Sequence, residues 1–209
     1  MGLQLIRNRK AEAVDVDVAA LMQQQLDIVQ QLTEDLLDAK RLSSSKVTLS
    51  HSDVVLQDVI QDVITQFKAR CEDKRLEIQS LVPPTPIVVS GDRIRLRQVF
   101  SNLVDNAIKY TPRHGHIWVK MTVEDVTAVV HVEDDGKGIP PDMLTQIFQM
   151  FTQIDPNASS QGLGVGLALV HELVQLHGGS VQAISKGLSL GSKFSVRLPM
   201  CNPSGPSTP

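Results

Sequence analysis

Residues 102–110 read NLVDNAIKY, in which Asn102, Asn106 and Lys109 are spaced at i, i+4 and i+7. On an α-helix this spacing places the three side chains on one face. The segment ends a helical pattern that begins at Asp92. Because Mg²⁺ binds amide oxygens and completes its shell with substrate phosphates, two amides beside a lysine would suit a metal-bound polyphosphate. Taken alone, a solvated polar helix face is the commoner explanation for such a pattern.

A glycine-rich turn follows a predicted strand, and residues 134–140 of this turn read DDGKGIP. The carboxylate of Asp134, at the end of the strand, could accept a hydrogen bond from an exocyclic amine. Gly136 and Gly138 would let the backbone pass close to a flat ring. An ordinary glycine-rich turn is the alternative interpretation.

A second glycine-rich segment, GLGVGL at residues 162–167, lies where a polar loop becomes a helix. Free backbone N–H groups and the positive end of the helix could bind phosphates there, although glycines also occur by chance at helix starts. The preceding residues 152–161 are polar and without periodicity, which predicts a mobile loop.

The remaining patterns predict an α+β fold, a two-layer α/β sandwich with mostly antiparallel strands. The predicted strands are residues 46–50, 76–81, 87–89, 116–123, 127–133, 180–185 and 193–198. Asp53 is predicted to cap a helix whose apolar face includes Val55, Val59, Val63 and Phe67. Further helices are predicted over residues 92–110, 141–148 and 163–177.

A long helix is predicted before this domain, because apolar residues between 14 and 42 follow a three-four spacing. Gln25 and Asp35 interrupt the apolar stripe, which favours a helical hairpin or bundle over a long coiled coil. A helix lying on its own domain is the alternative. We therefore divide the chain into a partial hairpin at residues 1–45, a main domain at 46–200 and a flexible tail or linker at 201–209.

The composition excludes several classes of protein. The 209 residues have a net charge of only −3 with scattered Lys and Arg, which argues against binding to nucleic acid or an anionic membrane. The two cysteines, Cys71 and Cys201, suggest neither a disulfide framework nor a zinc site. No apolar run reaches the roughly 20 residues of a membrane helix. We expect a cytoplasmic chain, whose full-length parent could still be membrane-anchored.

Together and in this order, with IFQMF at residues 147–151 between the two glycine-rich segments, these motifs resemble the catalytic domain of sensor histidine kinases. That family is a branch of the gyrase, Hsp90, histidine kinase and mismatch-repair ATPases, which share the Bergerat-type ATP-binding fold. Residues 102–110 look like the family's N box, 134–139 its G1 box, Phe148 and Phe151 its F box, and 162–166 its G2 box.

The resemblance implies a role for each matching residue. Asn106 would coordinate Mg²⁺, Lys109 would contact phosphate, and Asn102 would lie near the metal and the γ-phosphate of ATP. Asp134 would accept the adenine amine, and the ring of Tyr110 would pack against the base. The other implied contacts are Gly136 and Gly138 around the base, and Gly162, Leu163, Gly164, Val165 and Gly166 around the phosphates, with residues 152–161 as a movable lid.

Asn102 also bears on the type of reaction. ATP-hydrolysing branches of the superfamily typically have a Glu at the matching position, whose carboxylate activates water by accepting a proton. An amide cannot act as that base. The sequence thus favours phosphoryl transfer to a protein acceptor, which mainly requires positioning and charge neutralisation.

Residues 31–43 look like the second helix of the family's dimerisation and phosphoacceptor hairpin, and residues 3–9 could end the first. The family's acceptor motif is absent, since all six histidines follow residue 50. We expect a fragment that begins downstream of the acceptor and cannot phosphorylate itself, from a homodimeric parent that serves a response regulator. The alternative is a nucleotide-regulated binding module without kinase activity, such as a degenerate kinase or an anti-sigma-like switch.

Overall fold

The computed structural model describes residues 22, 33, 48–154 and 164–201. Residues 22 and 33 are both helical, but the rest of the predicted helix at residues 14–42 lies outside the described residues. The same holds for the predicted tail after residue 201 and for most of the predicted mobile loop.

Residues 48–154 and 164–201 form seven strands, three α-helices and one short 3₁₀ helix. In chain order these are β1 (Ser52–Val55), α1 (Leu56–Lys74), β2 (Glu77–Leu81), β3 (Val88–Gly91), α2 (Arg93–Tyr110), β4 (His116–Glu124), β5 (Thr127–Asp134), the 3₁₀ helix (Pro141–Met143), α3 (Gly166–Leu176), β6 (Ser180–Ile184) and β7 (Ser192–Pro199).

The main sheet has the strand order β2-β4-β5-β7-β6, and a small antiparallel pair, β1-β3, lies beside it. Only the β2-β4 pairing is parallel among the described strands. One bridge, between Val89 and Met200, connects the small pair to the end of β7. The predicted α+β architecture with mostly antiparallel strands is confirmed.

The three helices cover one face of the main sheet, and the core lies between the two layers. In β4 buried and partly exposed residues alternate: Ile117, Val119 and Met121 are buried, whereas Trp118 and Lys120 are partly exposed. This period of two is what one covered and one solvated face require. No described helix is long and apolar enough to span a bilayer.

The start of the domain differs from the prediction. Residues 48–50 form no strand, and the first strand is Ser52–Val55, which pairs with β3. Asp53 is therefore a strand residue rather than a helix cap, and α1 starts at Leu56 without a side-chain cap. The N–H of Leu56 donates to the carbonyl of Ile87 instead, at 3.0 Å. Pairing with a distant strand overrides the local capping preference here.

Two predicted helices are shorter in the structure. Of residues 141–148 only Pro141–Met143 are helical, as a 3₁₀ turn. The helix predicted over residues 163–177 begins at Gly166, because Gly164 has a φ of +71° that an α-helix cannot contain. The apolar pattern placed both segments correctly but overestimated their regular length.

His177, just after α3, connects that helix to the beginning of α2. Its Nδ1 donates to the carbonyl of Leu173 at 2.7 Å, and its Nε2 accepts from the backbone N–H of Asp92 at 3.0 Å. The ring is only 5% exposed, and burial lowers the pKa of His177 below its usual value. His51 and Asp92 are the titratable groups that face it. Protonation would turn the acceptor Nε2 into a donor and break the bond to Asp92.

We predict that the free energy of unfolding falls as the pH drops below about 6.5, the ordinary pKa of histidine, because the folded state binds fewer protons at His177 than the unfolded state. His177→Gln should lose about 1–3 kcal/mol at pH 7.5 and show a smaller further loss at pH 5.5 than the parent. Urea unfolding at the two pH values measures both effects. The exposed control His114→Asn should keep the parent's pH dependence, and an unchanged pH dependence in His177→Gln would contradict this role.

Candidate functional site

Helix α2 positions the four predicted residues of the N-box segment. Asp92 caps its start, accepting at Oδ1 from the N–H groups of Ile94 and Arg95 at 3.0 and 3.1 Å. The face of α2 that packs into the core contains Leu96, Val99, Phe100, Leu103, Val104, Ala107 and Ile108. Asn102, Asn106, Lys109 and Tyr110 are only partly buried, on the remaining part of the helix surface. The helix thus presents both amides outside the core, as the spacing predicts.

Asp134 ends β5 and is a buried carboxylate, only 9% exposed. Its Oδ1 accepts from the N–H of Gly136 at 2.8 Å, and its Oδ2 accepts from the hydroxyl of Ser192 at 2.5 Å. Burial raises the pKa of the Asp134 carboxyl, while the hydrogen bonds from Ser192 and Gly136 oppose that rise. The backbone N–H of Ser192 also faces this carboxylate, so three donors share its four lone pairs and one lone pair remains for a further hydrogen bond.

The turn after Asp134 is held against the end of α2. The N–H of Lys137 donates to the carbonyl of Tyr110 at 3.1 Å. A Cβ added at Gly136 would lie 2.6 Å from that same carbonyl, so only glycine fits there. The structure therefore brings Tyr110 next to Asp134 and Gly136, which follow it by more than 20 residues in the sequence.

A second loop, residues 185–191, supports this turn, and it was not among the predicted site segments. The N–H of Gly191 donates to the carbonyl of Gly136 at 3.0 Å, and that of Ser189 to the carbonyl of Lys137 at 2.7 Å. The hydroxyl of Ser185 accepts from the N–H of Ile139 at 3.0 Å. Gly138 has a φ of +67° and lies directly against the backbone of residue 187.

Ser192 was also missed, and it is the donor to Asp134. The two residues are directly opposite in the β5-β7 pairing. A strand register of this kind cannot be read from one sequence. The glycines at 187 and 191, which punctuate the chain between two predicted strands, were the available indication of a tight loop.

The predicted phosphate-binding glycines are described only in part, because Gly162 and Leu163 lie outside the described residues. The carbonyl of Gly164 accepts from the N–H of Phe151 at 3.0 Å. This hydrogen bond connects the two segments that flank residues 155–163. Gly166 begins α3 beside Asn102, and a Cβ added there would be 3.7 Å from the Asn102 amide oxygen. Val165 is 1% exposed, so its backbone rather than its side chain could contact a ligand.

Phe148 and Phe151 have different environments. The ring of Phe148 packs edge-on against Phe194, with 6.4 Å between centroids, and so attaches the segment to the sheet. Phe151 is 65% exposed and has a φ of +64°. Phe148 therefore anchors this segment to the sheet, whereas the side chain of Phe151 is mostly exposed.

A groove of about 460 Å³ opens between the three helices, and Asn102 lies in its wall. Asn102 and Gly166 line it together with Arg70 of α1 and Arg97 and Asp105 of α2. Arg70 and Asp105 form an ion pair across the groove. The amide of Asn102 is therefore approachable from a polar groove.

The arrangement can recognise a ligand with two different ends. Asp134 and the glycine turn meet the C-terminal end of α2, whereas Gly166 meets the middle of the helix at Asn102. Residues 102 and 110 are separated by about 12 Å along a helix. A flat base that donates from an amine suits the first end, and an anionic, metal-bound group suits the second.

Comparison with known proteins agrees with this geometry. The family described as histidine kinase-, DNA gyrase B- and HSP90-like ATPase matches residues 91–202, more than half of the chain. The adaptive-response sensory kinase SasA of Synechococcus elongatus is 33% identical over 177 residues, which cover 84% of this chain and 46% of that protein. The sensor protein GacS of Pseudomonas syringae is 33% identical over 193 residues, covering 88% of this chain and 21% of that protein. The chain thus spans less than half the length of these curated relatives.

Solved structures give the same result. A full-length ShkA structure in complex with AMPPNP superposes with a TM-score of 0.75 at 29% identity, covering 86% of this chain and 37% of that one. The histidine kinase AdeS of Acinetobacter baumannii gives a TM-score of 0.69 at 27% identity, with 85% and 81% covered. This chain belongs to the histidine kinase-, DNA gyrase B- and HSP90-like ATPase family, and its homologues are sensor histidine kinases.

Proposed function

We propose that this chain is the catalytic, ATP-binding part of a cytoplasmic sensor kinase, which transfers the γ-phosphoryl group of Mg·ATP to a protein histidine. The observation that supports it best is the buried Asp134 beside the same helix that presents Asn102, Asn106 and Lys109. A carboxylate kept out of water at a strand end, with glycines around it, fits adenine recognition better than a structural role.

The base end of the site fits adenine chemically. Asp134 is fixed by Gly136 and Ser192 yet has a lone pair left for the exocyclic amine. Gly136 and Gly138 would border the base. The Tyr110 ring, with the Lys109 ammonium 5.4 Å from its centroid, would pack beside the base.

The phosphate end fits a metal-bound triphosphate. Asn106 would give Mg²⁺ an amide oxygen, and phosphates and water would complete the octahedral shell. When bound, Mg²⁺ supplies neutralisation of the charge on the phosphates. Lys109 would add a positive charge, and Gly164, Val165 and Gly166 would offer backbone N–H groups next to the start of α3. Gly162 and Leu163 remain predicted contacts.

Asn102 favours transfer over hydrolysis. Its amide lies against Gly166, where a γ-phosphate bound by α2 and α3 would be close. An amide can orient a group by hydrogen bonding but cannot take a proton from water. We infer that ATP is held unhydrolysed until a histidine nucleophile arrives in line.

We further propose that the acceptor is none of the six histidines of this sequence. The buried His177 connects α3 to α2, and His131 is hydrogen-bonded to Ser195 on the sheet, with 2.9 Å between Nδ1 and the hydroxyl oxygen. The acceptor would then belong to a phosphoacceptor hairpin of the same or a sister protomer in a dimer. A response-regulator receiver domain would take the phosphoryl group from it.

Calorimetry with a non-hydrolysable ATP analogue tests the binding step. The parent should bind it more tightly with Mg²⁺ than with EDTA. Asn106→Ala should lose most of this metal enhancement, lowering the affinity for the Mg²⁺ complex by about tenfold or more, because one metal ligand is removed.

Gln98→Ala is the control, since it removes an amide two turns earlier on α2. It should bind like the parent. An Asn106→Ala variant that keeps the parent's Mg²⁺ enhancement would contradict the assignment of Asn106.

A further inference from the structure

The C-terminal end of α2 receives an unusual donor. Lys74, the last residue of α1, directs its ammonium group to two carbonyls of α2, those of Ile108 at 2.5 Å and Lys109 at 3.1 Å. The side chain is partly buried. A single cation therefore joins the end of one helix to the end of another.

Such an end normally needs donors, because the last four carbonyls of a helix have no partner within the helix. Here the carbonyls of Ala107 and Tyr110 accept from the N–H groups of Thr111 and Lys137, at 3.0 and 3.1 Å. Lys74 supplies the two between them. A positive charge is also favourable at this end, where the helix dipole is negative.

Keeping the ammonium group of Lys74 charged at this partly buried position costs free energy. Burial lowers the pKa of Lys74, and the nearby cations Arg70 and Lys137 lower it further. If position 74 were needed only for packing, an apolar side chain would be sufficient there. The face of α1 that packs into the core already contains the buried Val63, Phe67 and Cys71.

The two carbonyls are part of the backbone that the site depends on. Residue 109 is the lysine proposed to contact phosphate, and residue 110 the tyrosine proposed to pack on the base. The carbonyl of Tyr110 in turn holds the glycine turn through Lys137. Any fraying of the last turn of α2 would displace a phosphate contact, a base contact and the turn together.

We propose that Lys74 is a positioning residue for nucleotide binding, which fixes the last turn of α2 and through it Lys109, Tyr110 and the turn at Gly136. This inference rests on the proposed function of the site. Lys74 does not touch the ligand in this account. It acts by keeping the backbone of the site in its binding geometry before the nucleotide arrives.

The test compares affinity with stability in the full 209-residue chain. The dissociation constant of the Mg²⁺ complex of a non-hydrolysable ATP analogue is measured by calorimetry at 15 °C, and thermal unfolding is followed without ligand. Lys74→Met should raise the dissociation constant at least about fivefold, since the binding geometry must then be ordered on binding. Lys74→Arg, which keeps the charge and the donors, should stay within about twofold of the parent.

Lys68→Met is the matched control, because Lys68 is exposed on the same helix. It should bind like the parent. If Lys74→Met does not fold, Lys74→Gln makes the same comparison, as its amide keeps a donor but loses the charge, and we expect an intermediate dissociation constant.

The inference is overturned if the folded Lys74 variants unfold at a lower temperature but bind as tightly as the parent, since Lys74 would then only stabilise the fold. A parent that binds and a Lys74→Met variant that does not would support it. If the parent itself fails to bind, the proposed function fails first.

Discussion

Asp134→Asn is expected to lower the affinity of this chain for Mg·ATP by at least about 100-fold while leaving the domain folded. The change replaces a carboxylate oxygen by an NH₂ group of nearly the same size. Where a base amine needs an acceptor, the variant would present a second donor. A buried donor facing a donor leaves both without partners, and this is far more costly than losing an exposed hydrogen bond.

The fold should survive because the existing hydrogen bonds of Asp134 can be kept. The remaining amide oxygen can accept from the N–H of Gly136, and the hydroxyl of Ser192 can rotate to accept instead of donate. Burial also raises the pKa of the Asp134 carboxyl, so ionising this group in the folded state costs free energy that a neutral amide does not. The ligand-free variant should therefore be at least as stable as the parent.

Inosine triphosphate makes this prediction specific, because it has a carbonyl where ATP has the amine. Calorimetry with both nucleotides should show a strong preference for ATP in the parent and little preference in Asp134→Asn. Asp125→Asn, the same change at the exposed β4-β5 turn, is the control. Equal ATP affinity in the parent and in Asp134→Asn would refute adenine recognition by this residue.

Much of the fold followed from local patterns. The strands at β4 and β5 and the helix at α2 were each predicted from neighbouring residues in the chain, and the structure contains all three. The grouping of Asp134, Gly136 and Tyr110 was available only through the resemblance to a family, since spacing alone cannot bring a strand end to a helix end.

The features that sequence reasoning missed are all pairings between distant segments. Ser192 meets Asp134 through strand register, Lys74 meets the end of α2 through helix packing, and β1 exists because β3 lies beside it. Lysine at a helix end and serine in a strand are common and give no local indication. The predicted cap at Asp53 was wrong for the same reason, as long-range pairing outweighed a capping preference of about 1 kcal/mol.

The second large effect concerns phosphoryl transfer. In-line transfer requires the nucleophile to be held next to the γ-phosphate, so a chain that binds ATP but lacks the acceptor should remain unlabelled. Asn102 cannot act as a base toward water, so phosphate release should also be far below about 1 per second. When a hairpin with the acceptor histidine is supplied, the phosphoryl group of labelled ATP should be transferred to that histidine.

The most direct measurement incubates γ-labelled ATP and Mg²⁺ with three samples: this chain, a longer native chain extended upstream, and this chain mixed with a separately made hairpin containing the acceptor histidine. We predict acid-labile, base-stable label, as expected for a phosphohistidine, in the second and third samples only. Omitting this chain from the mixture should abolish the label on the hairpin. If neither the longer chain nor the added hairpin acquires label while ATP binding is intact, the kinase account is contradicted and a nucleotide-regulated binding module takes its place.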